Sequence, residues 1–359
     1  MKICLIWIAF LILLKPAFAQ TQSTYHTEEV SFKSGDGKIM FAGTLTMPDG
    51  IKEATAVVLV SGTGKQDRNG NMAGHPIFAQ IADHLSTHGF AVLRLDDRGT
   101  GKTTGVYETS TTGDFADDAL TAVHYLKGVR GINGKKIGLL GHSEGGAAIA
   151  IAAAKSKDVA FLVSVAGLAM SGYEAQIRQN EDIVNASTLP DYDKKRSNEI
   201  NGLMFKTALK YADSDSLGTV LNKTYAVWKV KDDAYFKTLN IAFDHFRFPI
   251  YSYANNAVQP WYRYFIKYNA AKTIAKIHVP ILALNGDKDL MVAGEQNLAN
   301  WKNYSAAGGN RKVRTVLLSG LNHLFLPCNA CTIAEYPKIK AGFSQRALGI
   351  ITSWMQQNI

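Results

Sequence analysis

The segment "KKIGLLGHSEGGAAIAIAAA", residues 135–154, places Ser143 in a Gly-x-Ser-x-Gly pattern directly after an apolar run. The run predicts a short buried strand over residues 135–140, and the alanine-rich sequence after the serine predicts a helix over residues 144–155. A strand, a sharp turn and a helix together expose a serine hydroxyl for nucleophilic attack, and small glycines permit the turn. Because such a short pattern also recurs by chance, a nucleophilic role for Ser143 requires partners that activate it.

A serine hydroxyl becomes an effective nucleophile when an imidazole takes its proton and a carboxylate orients that imidazole. Two later strand ends carry such groups in the required Ser, Asp, His order. The segment "PILALNGDKDLMV" offers Asp287 and Asp289, and "TVLLSGLNHLF" offers His323. Aspartates near glycine are also common in turns, so either one could be structural. His142 is set aside as the base because adjacent side chains on a turn diverge.

The sequence around these groups alternates between buried strands and helices. The runs "ATAVVLVSG", "FAVLRLDDRG" and "DVAFLVSVAG" predict strands of an α/β fold with a mostly parallel, doubly wound sheet. In such a sheet the loops after the strands meet at one edge. "TEEVSFKSGDGKIMFAGTLTMP" predicts an N-terminal antiparallel hairpin. A polar and then aromatic interruption, residues 168–269, predicts a helical cap insertion between the core segments 20–167 and 270–359.

Six segments resemble those of secreted and cytoplasmic carboxylesterases of the α/β-hydrolase superfamily: "SGTGKQDRNG", "LRLDDRGTGKTTG", "GHSEGG", "PWYRYF", "LALNGDKDLMV" and "GLNHLF". They occur in the same order, and the resemblance is weakest over residues 171–258. It implies the α/β-hydrolase fold and a catalytic triad of serine, aspartate and histidine. The family's acid lies in a Gly-x-x-Asp-x-x-Val turn. Gly286, Asp289 and Val292 match that turn, so the resemblance favours Asp289 over Asp287.

The resemblance also implies an oxyanion hole, a pair of backbone N–H groups that stabilise the tetrahedral intermediate. One amide belongs to Glu144, immediately after the serine. Matching "SGTG" to the family's His-Gly-x-Gly pattern assigns the other to Thr63, with Gly64 as the alternative. In the aromatic part of the insertion, Trp261 and Tyr264 are candidates for the substrate pocket, although such residues equally often form the core of a cap.

The N-terminus predicts export of the protein. Residues 1–19 combine a basic start, the apolar run "ICLIWIAFLILL" and the small-residue end "AFA", which are typical of a cleaved secretory signal peptide. We therefore expect a periplasmic or secreted enzyme with no membrane association after signal removal. Cys4 leaves with the signal, and Cys328 and Cys331 remain. In an exported protein this spacing favours a small disulfide over a metal site, since one Cys-x-x-Cys lacks the second ligand pair of structural zinc.

Charge and motif content argue against other classes of protein. The chain has a formal net charge of +9, but its basic residues are dispersed, so we expect no nucleic-acid partner. The segment "DRGTGKTT" resembles the end of a phosphate-binding loop, but Asp96 stands where that motif requires glycine. We therefore predict no nucleotide, cofactor or metal. Asp97 and Arg98, like Asp67 and Arg68, are expected to brace the loops below the site.

These observations predict a serine carboxylester hydrolase that acts on small uncharged esters through an acyl-enzyme intermediate. A sugar-ester deacetylase or a serine peptidase of the same fold is the alternative among enzymes. A non-catalytic binding module that retains the fold is the alternative from another class. The sequence leaves the natural acyl and alcohol groups and the oligomeric state open.

Overall fold

The computed structural model describes residues 24–359, so the predicted signal peptide lies outside the described residues. Ten strands occur in that range. They are β1 (Tyr25–Lys33), β2 (Met40–Pro48), β3 (Ala54–Val60), β4 (Asn71–Met72), β5 (His75–Pro76), β6 (Ala91–Leu95), β7 (Ile132–His142), β8 (Leu162–Val165), β9 (Ile281–Gly286) and β10 (Val313–Leu318).

The helices connect and cover these strands. They are α1 (Ile77–Thr87), α2 (Thr112–Lys127), α3 (Glu144–Lys155), α4 (Gly172–Ala186), α5 (Asp191–Lys210), α6 (Leu217–Thr238), α7 (Ile250–Ala257), α8 (Pro260–Ile266), α9 (Ala270–Ile274), α10 (Gly294–Ala307), α11 (Gln345–Asn358) and a 3₁₀ helix, η1 (Ile333–Lys338). Within residues 24–359, no helix is both long and apolar enough to cross a membrane.

Eight strands of the described chain form one sheet in the order β1-β2-β6-β3-β7-β8-β9-β10, and β4 pairs with β5. β1 and β2 are antiparallel, with Phe32 opposite Phe41. β2 is antiparallel to β6, whereas the remaining neighbours in the sheet are parallel. The predicted α/β class, the mostly parallel sheet and the N-terminal hairpin are therefore confirmed.

Both faces of the central strands are buried, which explains their continuous apolar sequences. Along β3, Ala56, Val58 and Val60 belong to one hydrophobic core, and Val57 and Leu59 belong to the core on the opposite face. Residues of α2 and α3 complete the first core, and residues of α1 and α11 complete the second. This rigid support fixes the strand ends that carry the candidate site.

Capping decides where α2 begins. The sequence predicts a helix over residues 114–127, but the helix starts two residues earlier, at Thr112. The Thr111 side chain accepts a hydrogen bond from the Asp114 amide, and the Asp114 carboxylate accepts one from the Thr111 amide. This reciprocal capping box satisfies two amides that the first helical turn would leave unpaired. The earlier start also brings Thr112 to the candidate site.

Helices α4 to α8, called the cap helices below, lie between β8 and β9 in the chain and fall within residues 168–269. They pack around a third hydrophobic core that includes Met204, Trp228 and Tyr262. The aromatic side chains of Phe246 and Phe248 pack against this core, so part of the aromatic sequence forms the interior of the cap helices. The division of the chain into core and cap domains stays a prediction.

Candidate active site

Ser143 occupies the turn between β7 and α3 with φ 57° and ψ −123°. A residue other than glycine with positive φ is strained, and such strain clusters at functional sites. The neighbouring glycines have no room for a side chain. A Cβ at Gly141 would lie 2.3 Å from the Gly145 carbonyl oxygen, and one at Gly145 would lie 2.4 Å from the Val60 carbonyl oxygen. The turn in "GHSEGG" therefore requires residues without a side chain at positions 141 and 145.

The loop after β3 passes directly beside this serine. A Cβ on Gly62 would lie 2.8 Å from the Ser143 Cβ and 3.4 Å from its Oγ. The residue after Gly62, Thr63, lines the same cavity as Ser143. Glycine at position 62 thus allows the backbone of the loop to approach the serine closely enough for its amides to face a bound group.

Asp289 and His323 form a buried pair. His323 Nδ1 donates to Asp289 Oδ2 over 2.8 Å, with side-chain exposures of 8% and 0%. The other carboxylate oxygen, Oδ1, accepts the amides of Met291 and Val292 at 2.8 and 2.9 Å. Asn285 Nδ2 also donates to Oδ2 over 3.0 Å. The turn after β9 therefore fixes the carboxylate, which in turn orients the imidazole.

Asp287 has a different environment. Its carboxylate accepts the Gly320 amide at 2.7 Å and the Ser319 hydroxyl at 3.1 Å. These bonds connect the turn after β9 to the end of β10. Asp287 therefore ties two loops together, whereas Asp289 contacts the histidine.

His142 supports the backbone of the histidine loop. Its Nε2 donates to the His323 carbonyl oxygen over 3.0 Å, and its side chain is fully buried. Burial, together with the neighbouring His323, lowers the pKa of His142 to about 3. His142 is therefore neutral at ordinary pH and holds His323 in position.

The two amides assigned to the oxyanion hole are free of hydrogen bonds to residues 24–359. Neither the Thr63 nor the Glu144 N–H has such a partner in the described structure. The amide of Gly64, the alternative donor, is already bonded to the Tyr107 hydroxyl at 2.8 Å. This difference favours Thr63 over Gly64 as the second donor.

The side chain of Glu144 is a feature that the sequence interpretation missed. It is 3% exposed and accepts three hydrogen bonds, from Thr63 Oγ1 at 2.6 Å, Thr112 Oγ1 at 2.5 Å and Trp261 Nε1 at 2.7 Å. Burial raises the pKa of this carboxyl, and the three donors oppose that increase. The available signal was an acidic residue directly after Ser143, between an apolar strand and an alanine-rich helix.

A cavity of about 280 Å³ opens onto Ser143 and His323 and is called the Ser143 cavity. Its wall is mostly apolar. The lining side chains include Met72, Leu168, Ala175, Trp261, Phe265, Met291, Val292, Leu324 and Ile333, with polar groups from Gln66, Gln176, Gln179 and Tyr336. None of the lining residues, all within the described chain, is Lys or Arg.

Of the two aromatic pocket candidates, Trp261 lines the Ser143 cavity and Tyr264 does not. Tyr264 instead packs against Gly113, where an added Cβ would lie 2.8 Å from its hydroxyl, and it lines a separate cavity. The structure therefore places Trp261, and not Tyr264, at the Ser143 cavity. Successive residues of a helix are rotated by 100°, so the face that presents Trp261 to the cavity also presents Phe265, while Tyr264 turns towards α2.

Cys328 and Cys331 are joined by a disulfide in a short loop after His323. The Glu335 carboxylate accepts the Cys331 amide at 2.6 Å and the Asn329 amide at 3.0 Å. The side chains of Cys328, Cys331 and Glu335 lie close together and are of kinds that can bind metal ions. Both sulfurs are instead bonded to each other in the disulfide. The next element, η1, supplies Tyr336 to the cavity wall, so this loop positions a lining residue that the sequence interpretation missed.

The charged residues below the site brace its loops. Asp97 accepts the Ser61 hydroxyl at 2.6 Å and the Gln66 amide at 2.8 Å, and burial raises its pKa to about 6. Arg68 pairs with Asp96 at 2.7 Å. The Asp67 carboxylate instead accepts the Asn69 amide.

The segment that resembles a phosphate loop encloses a carboxylate. A Cβ on Gly101 would lie 2.3 Å from Asp96 Oδ2, and the Lys102 amide also donates to this side chain. Arg98 pairs with Asp118 at 2.7 Å, which anchors the same loop to α2. Gly101 and the Lys102 amide therefore lie against the Asp96 carboxylate.

Comparison with known proteins agrees with this architecture. Residues 55–327 match the family model of the alpha/beta hydrolase fold. The chain belongs to this family. It is also similar to the esterase EstD of Thermotoga maritima, with 25% identity over 315 residues, or 87% of this chain. The aligned region spans 65% of the length of EstD.

Solved structures share the fold at low sequence identity. The α/β-hydrolase GrgF from a Penicillium species has a TM-score of 0.55 and 19% identity, covering 93% of this chain and 99% of that one. An esterase of Pyrococcus furiosus has a TM-score of 0.54 and 15% identity, covering 93% and 91%. The predicted α/β-hydrolase fold is therefore confirmed.

Proposed function

We propose that this protein is a serine carboxylester hydrolase that works through an acyl-enzyme intermediate. The observation that carries the proposal is the convergence at one cavity of the strained Ser143 and the buried Asp289–His323 pair. The free amides of Thr63 and Glu144 beside the serine add to it. The similarity to an esterase supports the same reaction class.

In this mechanism the Ser143 Oγ attacks the ester carbonyl carbon while His323 takes the hydroxyl proton. Asp289 stabilises the resulting imidazolium, and the two amides stabilise the negatively charged carbonyl oxygen. The bond between the carbonyl carbon and the alcohol oxygen then breaks, and His323 gives its proton to the leaving alcohol. A water molecule attacks the acyl-enzyme in the same way, which releases the acid and restores Ser143.

The Ser143 cavity supports small, uncharged esters as substrates. Its volume of about 280 Å³ suits a short or compact acyl or alcohol group, and its wall is largely apolar. The lining residues include no Lys or Arg to pair with an anionic substrate. The lining carboxylate, Glu144, already accepts three hydrogen bonds.

Export remains part of the proposal. The predicted signal peptide and the Cys328–Cys331 disulfide both support a periplasmic or secreted location, because disulfides persist in oxidising compartments. The sugar-ester deacetylase, the peptidase and the non-catalytic binding module remain alternatives that the activity test separates.

The test is hydrolysis of a panel of aryl, alkyl and sugar esters by the wild type and by Ser143→Ala. We expect the wild type to hydrolyse small neutral esters and to be labelled by a fluorophosphonate at Ser143. The variant should lose both properties while keeping its circular dichroism spectrum and melting temperature. Turnover by a folded Ser143→Ala variant would exclude the mechanism, and a wild type without labelling or turnover would favour a binding module.

A further inference from the structure

We propose that the Glu144 carboxyl group is a positioning residue that fixes the geometry of the oxyanion hole and connects the hole to the cap. This inference rests on the proposed ester hydrolysis, since it assigns a role in forming the tetrahedral intermediate. Glu144 already contributes its backbone amide to the hole. Its side chain acts separately, through three hydrogen bonds to residues from three different parts of the fold.

The first of these bonds joins the two halves of the oxyanion hole. Thr63 Oγ1 donates to Glu144 Oε2 over 2.6 Å, so the residues that supply the two amides are tied through their side chains. Thr63 lies on the loop after β3, and Glu144 is the first residue of α3. Without a side-chain bond, the loop could shift its amide relative to the serine, and small misplacements of catalytic groups cost large factors in rate.

The other two bonds fix the carboxyl group itself. Thr112 Oγ1, at the first position of α2, donates over 2.5 Å, and Trp261 Nε1, on α8, donates over 2.7 Å. Both reach the same oxygen, Oε1, which leaves Oε2 directed at Thr63. Because Trp261 also lines the Ser143 cavity, one carboxyl group connects the substrate wall to the oxyanion hole.

A purely structural role does not explain why an acidic residue stands here. Glu144 is 3% exposed, and none of the ion pairs among residues 24–359 includes it. Burial of a carboxyl group without a cationic partner is unfavourable, whereas an apolar side chain would pack without that cost. What the carboxyl group supplies is a rigid planar acceptor with two oxygens, each aimed at a separate set of donors.

The experiment compares two threonine variants that each remove one hydroxyl bond to this carboxyl group. Thr63→Val loses the bond on the oxyanion loop, and Thr112→Val is the matched control on α2. Valine keeps the shape and the backbone amide in both. With a neutral nitrophenyl ester, we expect Thr63→Val to lower kcat about tenfold or more with KM within about threefold. We expect Thr112→Val to lower kcat clearly less than Thr63→Val does, because Trp261 Nε1 still donates to the same carboxyl oxygen, Oε1.

A second readout reports on the hole itself. An alkylboronic acid forms a tetrahedral adduct with the serine, and its affinity should fall in Thr63→Val by a factor similar to the loss in kcat. Glu144→Ala should lose at least as much as Thr63→Val. Glu144→Gln should recover most of the rate, since its amide oxygen can accept from Thr112 and Trp261 while its NH₂ donates to Thr63 Oγ1.

Equal effects of the two threonine variants on kcat and on boronate affinity would overturn the inference, as would full activity of Glu144→Ala. If Glu144→Ala fails to fold, the comparison of Thr63→Val with Thr112→Val still tests the role of the Glu144 carboxyl group. Boronate binding needs no turnover, so a wild type that binds boronate but hydrolyses no ester would refute the proposed function and leave this test valid. A wild type that binds no boronate would overturn both.

Discussion

Two buried polar clusters in this protein are built in opposite ways. In the cap helices, Arg196 is 2% exposed and pairs with Asp193, Asp232 and Asp244 at 2.7–2.8 Å. Beside Ser143, Glu144 is 3% exposed, and the three donors that it accepts from among residues 24–359 are all neutral. The first cluster balances buried charge with opposite charge, whereas the second holds a buried carboxyl group with neutral donors.

The difference indicates what each cluster does. A guanidinium surrounded by three carboxylates holds α5, α6 and the loop before α7 together, which serves the stability of the cap. In the proposed reaction, a cation beside Glu144 would alter the electrostatic field in which the ester carbonyl develops negative charge. Neutral donors give the same directional control without a formal charge. Variants in the two regions should therefore separate activity from stability.

The largest expected effect lies in the triad. Asp289→Asn should lower kcat by about 10⁴-fold, because the asparagine no longer holds the His323 tautomer that accepts the serine proton. Asp287→Asn, two residues away, should cost less than about tenfold, since its carboxylate contacts Gly320 and Ser319. Steady-state kinetics on one neutral ester would check this. The reverse ranking would assign the acid to Asp287.

The second effect is on stability in the cap. Arg196→Met should lower the free energy of unfolding by roughly 3–5 kcal/mol, because it leaves the buried carboxylates of Asp232 and Asp193 without a cation. Urea unfolding would measure this. The kcat of the folded fraction should change less than about threefold.

An exposed pair on α6 provides the control for that measurement. Lys229 pairs with Asp233, whose side chain is 53% exposed. Lys229→Met should change the free energy of unfolding by less than about 1 kcal/mol, since exposed ion pairs contribute little. Similar losses for Arg196→Met and Lys229→Met would contradict the charge-compensation account of the cap.

The third effect concerns pH. Asp97 has a pKa of about 6, raised from 3.8 by burial, so the folded state binds its proton more tightly than the unfolded state does. The stabilisation that Asp97 adds to the free energy of unfolding is therefore present below about pH 4 and is lost as pH rises through about 6. The loss amounts to at most about 3 kcal/mol, at 1.4 kcal/mol per pKa unit. Asp97→Asn should flatten this part of the stability profile.

The control for that profile is a group whose pKa shifts the other way. The pKa of Asp244 is lowered to about 2 by its hydrogen bond to Arg196, so its contribution is present above about pH 4 and is lost as pH falls towards 2. Thermal melts of wild type and Asp97→Asn from about pH 2 to about pH 8 would separate the two windows. If the melting temperature of Asp97→Asn changes between about pH 4 and about pH 6 as it does in the wild type, the loss of stability in that range does not come from Asp97.

The smallest effect concerns the disulfide loop. We expect Cys328 and Cys331 to be oxidised in exported protein, which mass spectrometry of non-reduced, alkylated protein would establish. Replacement of both by serine should alter KM by a few-fold through Tyr336 and should lower stability only slightly, since the closed loop is short. Two free thiols, or a large loss of kcat without a change in KM, would contradict this account.

Much of this arrangement follows from the sequence alone. The apolar run before Ser143, the glycines around it and the alternation of strands and helices predicted the sheet and the turn, because these signals are local or periodic. Chain order placed Asp287 and Asp289 after one late strand and His323 after the last one, and the resemblance to a family turn favoured Asp289. Parallel strands deliver their following loops to one edge of the sheet, so sequence order was sufficient to bring these groups together.

Only the tertiary structure decided which side chains complete the site. Tyr264 and Trp261 are three residues apart, and only their rotation on α8 shows that Trp261 faces the cavity and Tyr264 faces Gly113. The three donors to Glu144 come from positions 63, 112 and 261 of the sequence. Hydrogen bonds between such distant positions leave no periodic or local pattern, since they depend on how the loop, helix α2 and the cap pack around one carboxyl group.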